Sequence, residues 1–220
     1  MPAAARRSQL LGVALEQFAA GGYHETSMEQ IAEAAGVTKP VLYQHFHSKQ
    51  ELYRELIDTV GHDLLAEAND RAESETDPYR RVLAGFRAYF TFVCERTDAF
   101  QLLFGGGARV AEEFGDSVRA VEEQMAAAVG RLVDAAIDDE HRDLIGRSIV
   151  GLAEVAGRRW VEVHRTVPGP RSELRSRAHH SLDTAAEAER MSVRLADFVW
   201  AGLRGLPSAT PRPATTQEGA

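Results

Sequence analysis

The 220-residue chain holds one cysteine, two lysines and no uninterrupted apolar run of bilayer-crossing length. A single thiol excludes an internal disulfide. Cys94 lies in the run YFTFVC with no histidine or acid of triad type beside it, so it reads as a small buried hydrophobe and not as a nucleophile. With no spanning run, no membrane partner is expected. The opening MPAAARRSQ lacks the apolar stretch of a signal peptide, so a cytoplasmic protein is expected. Strand signals are missing as well: no alternating polar and apolar run, no Asn-Gly hairpin dipeptide, and β-branched residues scattered through helical patterns. No fixed-period repeat is visible. Gly105-Gly106-Gly107 lacks the lysine, the hydroxyl and the preceding strand that a phosphate-cradling loop needs. His24, His45, His47 and His62 fall on different faces, and no His or Cys spacing suits zinc. The acid pairs Glu112-Glu113 and Glu122-Glu123 read as solvated helix faces. No catalytic residue, metal or cofactor is therefore expected, and the chain is not expected to be an enzyme.

What is present is helical periodicity, and one stretch of it carries information beyond packing. In SMEQIAEAAGVTKPVLYQHFHSK, Ser27 and Gln30 form a capping box, and Met28, Ile31, Ala32 and Ala35 recur at helical spacing. Gly36 ends that helix in a left-handed conformation that lets the chain reverse. Thr38 is placed to cap the next helix, with Lys39 and Pro40 in its first turn. Val41, Leu42 and Phe46 then alternate with Lys39, Tyr43, Gln44 and His45, so that one face packs and the other is offered outward. Ser48 and Glu51 form a second capping box and open a longer helix through Leu52, Leu56 and Val60. Helix, glycine turn and second helix with a polar outer face is the helix-turn-helix, whose second helix enters the major groove; an ordinary helical hairpin in a bundle shares the pattern.

The run GYHETSMEQIAEAAGVTKPVLYQHFHSKQELY closely resembles the signature of the TetR family of bacterial transcriptional regulators, over about residues 8–58. The resemblance implies that Thr38, Lys39, Pro40, Tyr43 and Gln44 face DNA, that Tyr43 and His45 meet backbone phosphates, and that Thr26, Ser27 and Lys49 lie at helix starts where phosphates are gripped. Lys39 can donate to guanine, Gln44 can pair with adenine, and the Pro40 ring can meet a thymine methyl. His45 serves equally well as a structural hydrogen bonder. Arg6 and Arg7, in a segment that reads as disordered, are either backbone contacts or a solubilising pair.

The net charge of −8 belongs to the remainder of the chain, since residues 1–54 hold five bases and five acids. Lys39 and Lys49 are the only lysines. An acidic body behind a neutral module resists non-specific binding and leaves affinity to particular contacts.

Leu10, Leu11, Ala14, Leu15 and Phe18 mark a first helix ended by Gly21-Gly22, and Ser48 to about Glu73 a connecting helix. Further helices are expected from Asp77-Pro78 to a close at Arg96-Thr97-Asp98, over AFQLLF, from about Val110 to Ile137, from Asp138 to about Arg165, and through Met191 to Leu206. The expected fold is thus all-α with about nine helices: a DNA-binding domain over 1–54, a ligand-binding and dimerisation domain over 55–206, and a tail over 207–220 with the composition of disorder. The segment VPGPRSELRSRAHHSLD reads as an exposed loop whose bases and His179-His180 are a solvated surface or an anion patch.

Six of the nine phenylalanines fall between residues 86 and 114. Phe86, Tyr89, Phe90, Phe100, Phe104 and Phe114, with Val118, Met125 and Leu152, are either core or the wall of an apolar cavity. The family resemblance implies the cavity, between helices five, seven and eight. FQLLF and the final ADFVWAGLRGL are similar to regulators of lipid metabolism in high-GC bacteria that sense fatty acyl-CoA, with drugs, steroids and other lipids left open. Ile149, Ala153, Gly157 and Trp160 on one helix and Leu195, Val199, Gly202 and Leu203 on another offer surplus apolar surface for a homodimer formed as a four-helix bundle. The resemblance implies a ligand-responsive repressor of a palindromic double-stranded DNA operator. A helical lipid sensor without DNA binding is the rival, and a lipid-handling enzyme comes third.

Overall fold

The computed structural model describes residues 3–105, 113–164 and 176–207. Among these, every regular element is a helix: α1 (Ala3–Glu25), α2 (Met28–Ala34), α3 (Lys39–His45), α4 (Lys49–Glu73), α5 (Pro78–Glu95), α6 (Thr97–Phe104), α7 (Gly115–Leu132), α8 (Asp139–His164) and α9 (Ser176–Leu203). Helix α1 starts well before the apolar pattern does, and Gly22, with φ 76°, breaks its last turn. The early start has a cause in Arg7, whose side chain is bonded into the fold. Its guanidinium pairs with Glu55, donates to the His45 carbonyl and lies 4.3 Å from the centre of the Phe46 ring.

The N-terminal helix-turn-helix closes on Leu10, Ala14, Phe18, Ile31, Leu42 and Phe46, all buried. Helix α4 continues that core through Leu52, Tyr53, Leu56 and Ile57 and then enters a second one through Val60 and Leu64. The second core is made by α5 against α4 and α9, and by α7 against α4 and α8. Ser192 of α9 donates to Ala188 O at 2.8 Å, with Phe86 O at 3.3 Å, so its buried hydroxyl is satisfied.

Helix α7 ends at Leu132, five residues short of the expected Ile137, because Val133 turns to an extended conformation. The freed carbonyls there are taken by Arg142, which donates to Gly130 O, Val133 O and Ala135 O. The expected start near Val110 lies outside the described residues. So do 165–175 of the expected loop, the side chains of His179 and His180, and 208–220 of the tail; α9 is already helical from Ser176, inside what the sequence presents as loop.

On α8 the face that packs is the small one. Gly146, Val150, Ala153 and Gly157 are buried, while the larger Leu144 and Val163 are exposed. The reason is backbone proximity: a Cβ built at Gly146 would lie 2.2 Å from Ala126 O, and one at Gly157 2.7 Å from the Tyr89 hydroxyl. Gly146→Ala is therefore expected to lower stability by about 1–3 kcal/mol through overpacking. By contrast Gly12→Ala, whose Cβ meets no atom within 4 Å on exposed α1, should raise stability by up to about 1 kcal/mol. Urea unfolding of the two variants checks this, and equal midpoints would contradict the close α7–α8 packing.

Candidate nucleic-acid interface and effector cavity

The recognition segment is built by local rules. Ser27 accepts from Gln30 N at 3.2 Å while Gln30 Oε1 accepts from Ser27 N at 2.7 Å, which completes the capping box of α2. At the other end Gly36 has φ 63°, Val37 N donates to Ala32 O at 2.9 Å and Gly36 N to Glu33 O at 3.0 Å. That pair of bonds is the Schellman closure, which needs a left-handed residue and finds glycine. Thr38 caps α3 by position but makes no side-chain cap bond. At the head of α4, Ser48 accepts from Glu51 N at 3.0 Å, while the Glu51 carboxylate takes the amide of His47, at 2.7 Å, rather than that of Ser48.

With Leu42 and Phe46 fully buried, α3 presents Thr38, Lys39, Pro40, Tyr43 and Gln44 to solvent, and His45 is half-buried. Lys39 is held by an ion pair with Glu29 of α2 and stands 6.0 Å from the centre of the Tyr43 ring. Their mutual hydrogen bond holds the Glu29 carboxyl below its usual range and raises the Lys39 ammonium.

Two residues that the family pattern assigns to phosphates are occupied otherwise. Thr26 is buried, and its hydroxyl donates to Gly22 O at 2.8 Å, with Gln17 O at 3.2 Å. The Lys49 ammonium donates to Tyr23 O at 2.8 Å, Thr26 O at 3.0 Å and His24 O at 3.3 Å, and lies 4.4 Å from the Tyr23 ring centre. An ammonium has three donors, and three carbonyls at the end of α1 take them. Lysine is here a C-terminal cap for a helix broken at Gly22.

The aromatic residues divide in the same way. Phe90, Phe100, Phe104, Phe114 and Val118 are fully packed, and none of them lines the apolar cavity among α4, α5, α7 and α8; Phe100 instead borders a separate hollow beside Tyr23 and Tyr53. Phe114 instead lies between the two cores, with ring centres 4.7 Å from Tyr23 and 4.5 Å from Tyr53. Beside it, Glu113 accepts from Gln50 and Arg54 of α4. A cavity of about 120 Å³ does exist, one layer further from the reading module. Phe86, Tyr89 and Met125 line it as expected; Leu152 does not. The rest of the wall is Leu65, Ala68, Asn69 and Ala72 of α4, Arg81, Val82 and Gly85 of α5, the end of α7, and Ile149, Val150 and Ala153 of α8, with Leu203. Sequence reasoning missed these because it searched for rings, whereas small and aliphatic residues on helix faces leave the space. The Tyr89 hydroxyl has no hydrogen-bond partner among the described residues, and its pKa stands well above the ordinary phenol value through burial first and then the charge of Glu154, which Arg158 partly offsets.

The surplus apolar surface of α8 and α9 also sits elsewhere than expected. Ala153, Gly157, Trp160 and Val199 are buried inside the protomer, Ile149 and Leu203 line the cavity, Leu195 is half-buried, and Gly202 is exposed. The large hydrophobes of these helices that face outward include Leu144 at 62%, Val155 at 61% and Phe198 at 70% exposure, with Val163 also exposed.

A helix-turn-helix with an exposed polar second helix, joined by one continuous helix to an all-helical body with an internal apolar cavity, defines a DNA-binding transcriptional regulator. The family models agree: residues 10–56 match "Bacterial regulatory proteins, tetR family" and residues 78–202 match "Tetracyclin repressor-like, C-terminal domain". The chain belongs to the TetR family. It is 29% identical over 209 residues to the HTH-type transcriptional activator FasR of Mycolicibacterium smegmatis, covering 94% of this chain and 87% of FasR. It is also 36% identical over 85 residues to the repressor KstR2 of Mycobacterium tuberculosis, 39% of this chain and 42% of that one. Among solved structures, a TetR-like regulator from Rhodococcus sp. RHA1 superposes with TM-score 0.66 at 25% identity, over 93% of this chain and 99% of that one. The FadR of Bacillus subtilis, solved with stearoyl-CoA, shares the fold with TM-score 0.70 at 14% identity, over 89% and 98%. Among the described residues no helix is long and apolar enough to cross a membrane.

The geometry of Lys49 gives a direct test. Lys49→Ala should lower unfolding stability by about 1–3 kcal/mol by leaving carbonyls unpaired, and should leave the salt dependence of DNA binding unchanged. A flattened salt dependence with unaltered urea unfolding would return Lys49 to the phosphates.

Proposed function

We propose that the protein is a homodimeric regulator that reads a palindromic operator with α3 and alters its grip when a small apolar effector enters the cavity. The observation that carries the reading is the split of α3 into a buried Leu42–Phe46 side and an outward face of Thr38, Lys39, Pro40, Tyr43 and Gln44. A lipid sensor without DNA function has no use for that face. The Glu29 pair aims Lys39 before any contact is made, so that less side-chain freedom is lost on binding. Lys39→Ala should relax preference at one base pair by about 1–3 kcal/mol in gel-shift titrations on single-position operator variants. Equal losses on operator and random DNA would refute base reading.

The dimer is proposed to form through the outward apolar residues of α8 and α9. Leu144 and Val155 stand three turns apart on one face, and a monomer leaves no reason for three large hydrophobes at such exposure. Phe198→Asp with Val155→Asp should give a monomeric mass in sedimentation and abolish binding to the palindrome while a single half-site is still bound weakly. An unchanged dimer would overturn this surface.

Coupling runs through two helices, not through α4 alone. Both α4 and α7 line the cavity, and both reach the reading module, α4 through Leu52 and Tyr53 and α7 through its cap Phe114. A tenfold change in operator affinity needs only about 1.4 kcal/mol of differential effector binding. Val129→Trp, which fills the cavity from α7, should shift operator affinity in the absence of effector and block the response to it. An unaltered response would separate the cavity from regulation. Whether the outcome is repression or activation depends on where the operator lies relative to the promoter.

A further inference from the structure

The cavity wall is apolar except at three points, Asn69, Arg81 and Tyr89. These are not equivalent. Tyr89 lies at the inner side against the Gly157 backbone, where the charge of Glu154 acts on it. Glu154 is itself buried and paired with Arg158 at 2.8 Å. An anion is disfavoured there. Arg81 and Asn69 stand at the other end, half-buried, where α4 passes into α5. Along α5, Arg81 and Tyr89 are separated by about 12 Å at 1.5 Å per residue.

Arg81 donates through Nε and Nη2 to Glu75 O, at 3.3 and 3.2 Å, which fixes the guanidinium without neutralising it. Among the described residues it has no carboxylate partner. A cation in an otherwise apolar wall, held in place and left uncompensated, is stabilised by an anionic ligand that brings a planar pair of oxygens. The surroundings limit how much negative charge that ligand can carry. Residues 70–81, 131–143 and 203–207, which form this end of the molecule, contain nine acids and six bases. Besides Arg81, held on the Glu75 carbonyl, two of the six are engaged, Arg71 with Glu67 and Arg142 with three carbonyls. A phosphate-rich head would meet net repulsion, whereas a single carboxylate meets Arg81 first.

We infer that the effector of this cavity is a monocarboxylate with an apolar body, its head on Arg81 and Asn69 and its tail directed past Phe86 towards Tyr89, and that a coenzyme A thioester is not the ligand this chain prefers. The inference rests on the cavity being the effector site. At about 120 Å³ the resting space is near that of an engineered cavity of about 150 Å³ that admits benzene, so a medium alkyl chain fills it and reaches the mouth.

Binding of octanoate, octan-1-ol and octanoyl-CoA to the full-length dimer by calorimetry at neutral pH tests it. Octanoate should bind at least roughly tenfold more tightly than either of the others, as a charge-assisted pair implies. In Arg81→Gln the preference for acid over alcohol should vanish, and in Arg81→Lys it should be partly retained. Tighter binding of octanoyl-CoA than of octanoate, or an acid preference that survives in Arg81→Gln, would overturn the head-group assignment while leaving the apolar cavity in place. Should Arg81→Gln fail to fold, the three wild-type affinities decide. Absence of binding by all three would remove the effector cavity and this assignment together.

Discussion

The contact among the rings of Tyr23, Tyr53 and Phe114 is what makes two helical cores into one body. Tyr23 belongs to the last turn of α1, just past the break at Gly22, Tyr53 to the first turns of α4, and Phe114 to the head of α7. Edge and tilted ring packing of this kind is directional as well as apolar, so it fixes orientation where aliphatic contact would permit sliding. Lys49 completes the arrangement from beneath: its ammonium closes the end of α1 and sits over the Tyr23 ring. Removing any one of these groups loosens the seat on which α7 rests against the reading module.

The reading module was legible in the sequence because its determinants are local. The Ser27–Gln30 box, the left-handed Gly36 and the alternation around Leu42 and Phe46 act within a few positions of one another and appear where the spacing places them, while Thr38 makes no side-chain cap bond and the Ser48–Glu51 box closes on one side only. The side-chain roles were less legible. The family pattern implies phosphate contacts for Thr26 and Lys49, yet the break at Gly22 leaves carbonyls that only a nearby donor can satisfy, and these two residues supply it. Nothing in the order of residues states that need until the helix end is seen.

In the second domain, the residues were found but their neighbours were not. Helical spacing locates α5, α7 and α8, and the small residues of α8 mark where another helix comes close: Gly146 touches a carbonyl of α7, Gly157 touches Tyr89 and Phe100, and the larger Leu144 and Val155 are turned to solvent. The aromatic cluster is correspondingly a packed wall behind the cavity, and the space itself lies among aliphatic residues and two polar ones that no ring count would find.

Gly61 is the middle residue of α4, with twelve residues on either side, and a Cβ there would stand 2.6 Å from Val121 of α7. The Val121 side chain therefore packs directly on the α4 backbone at this point, between the cavity and the DNA-facing end. Such a contact has the place of a fulcrum: along α4, Tyr53 lies about 12 Å to one side and the cavity residues Leu65 to Ala72 about 6–17 Å to the other. In the proposed coupling, spreading the helices at the cavity would move them at Tyr53 and Phe114 by a comparable distance. Such a lever would transmit without magnifying, so the size of any movement at the operator would be set by how far an effector wedges α4 from α7, and the position of one glycine would set that ratio.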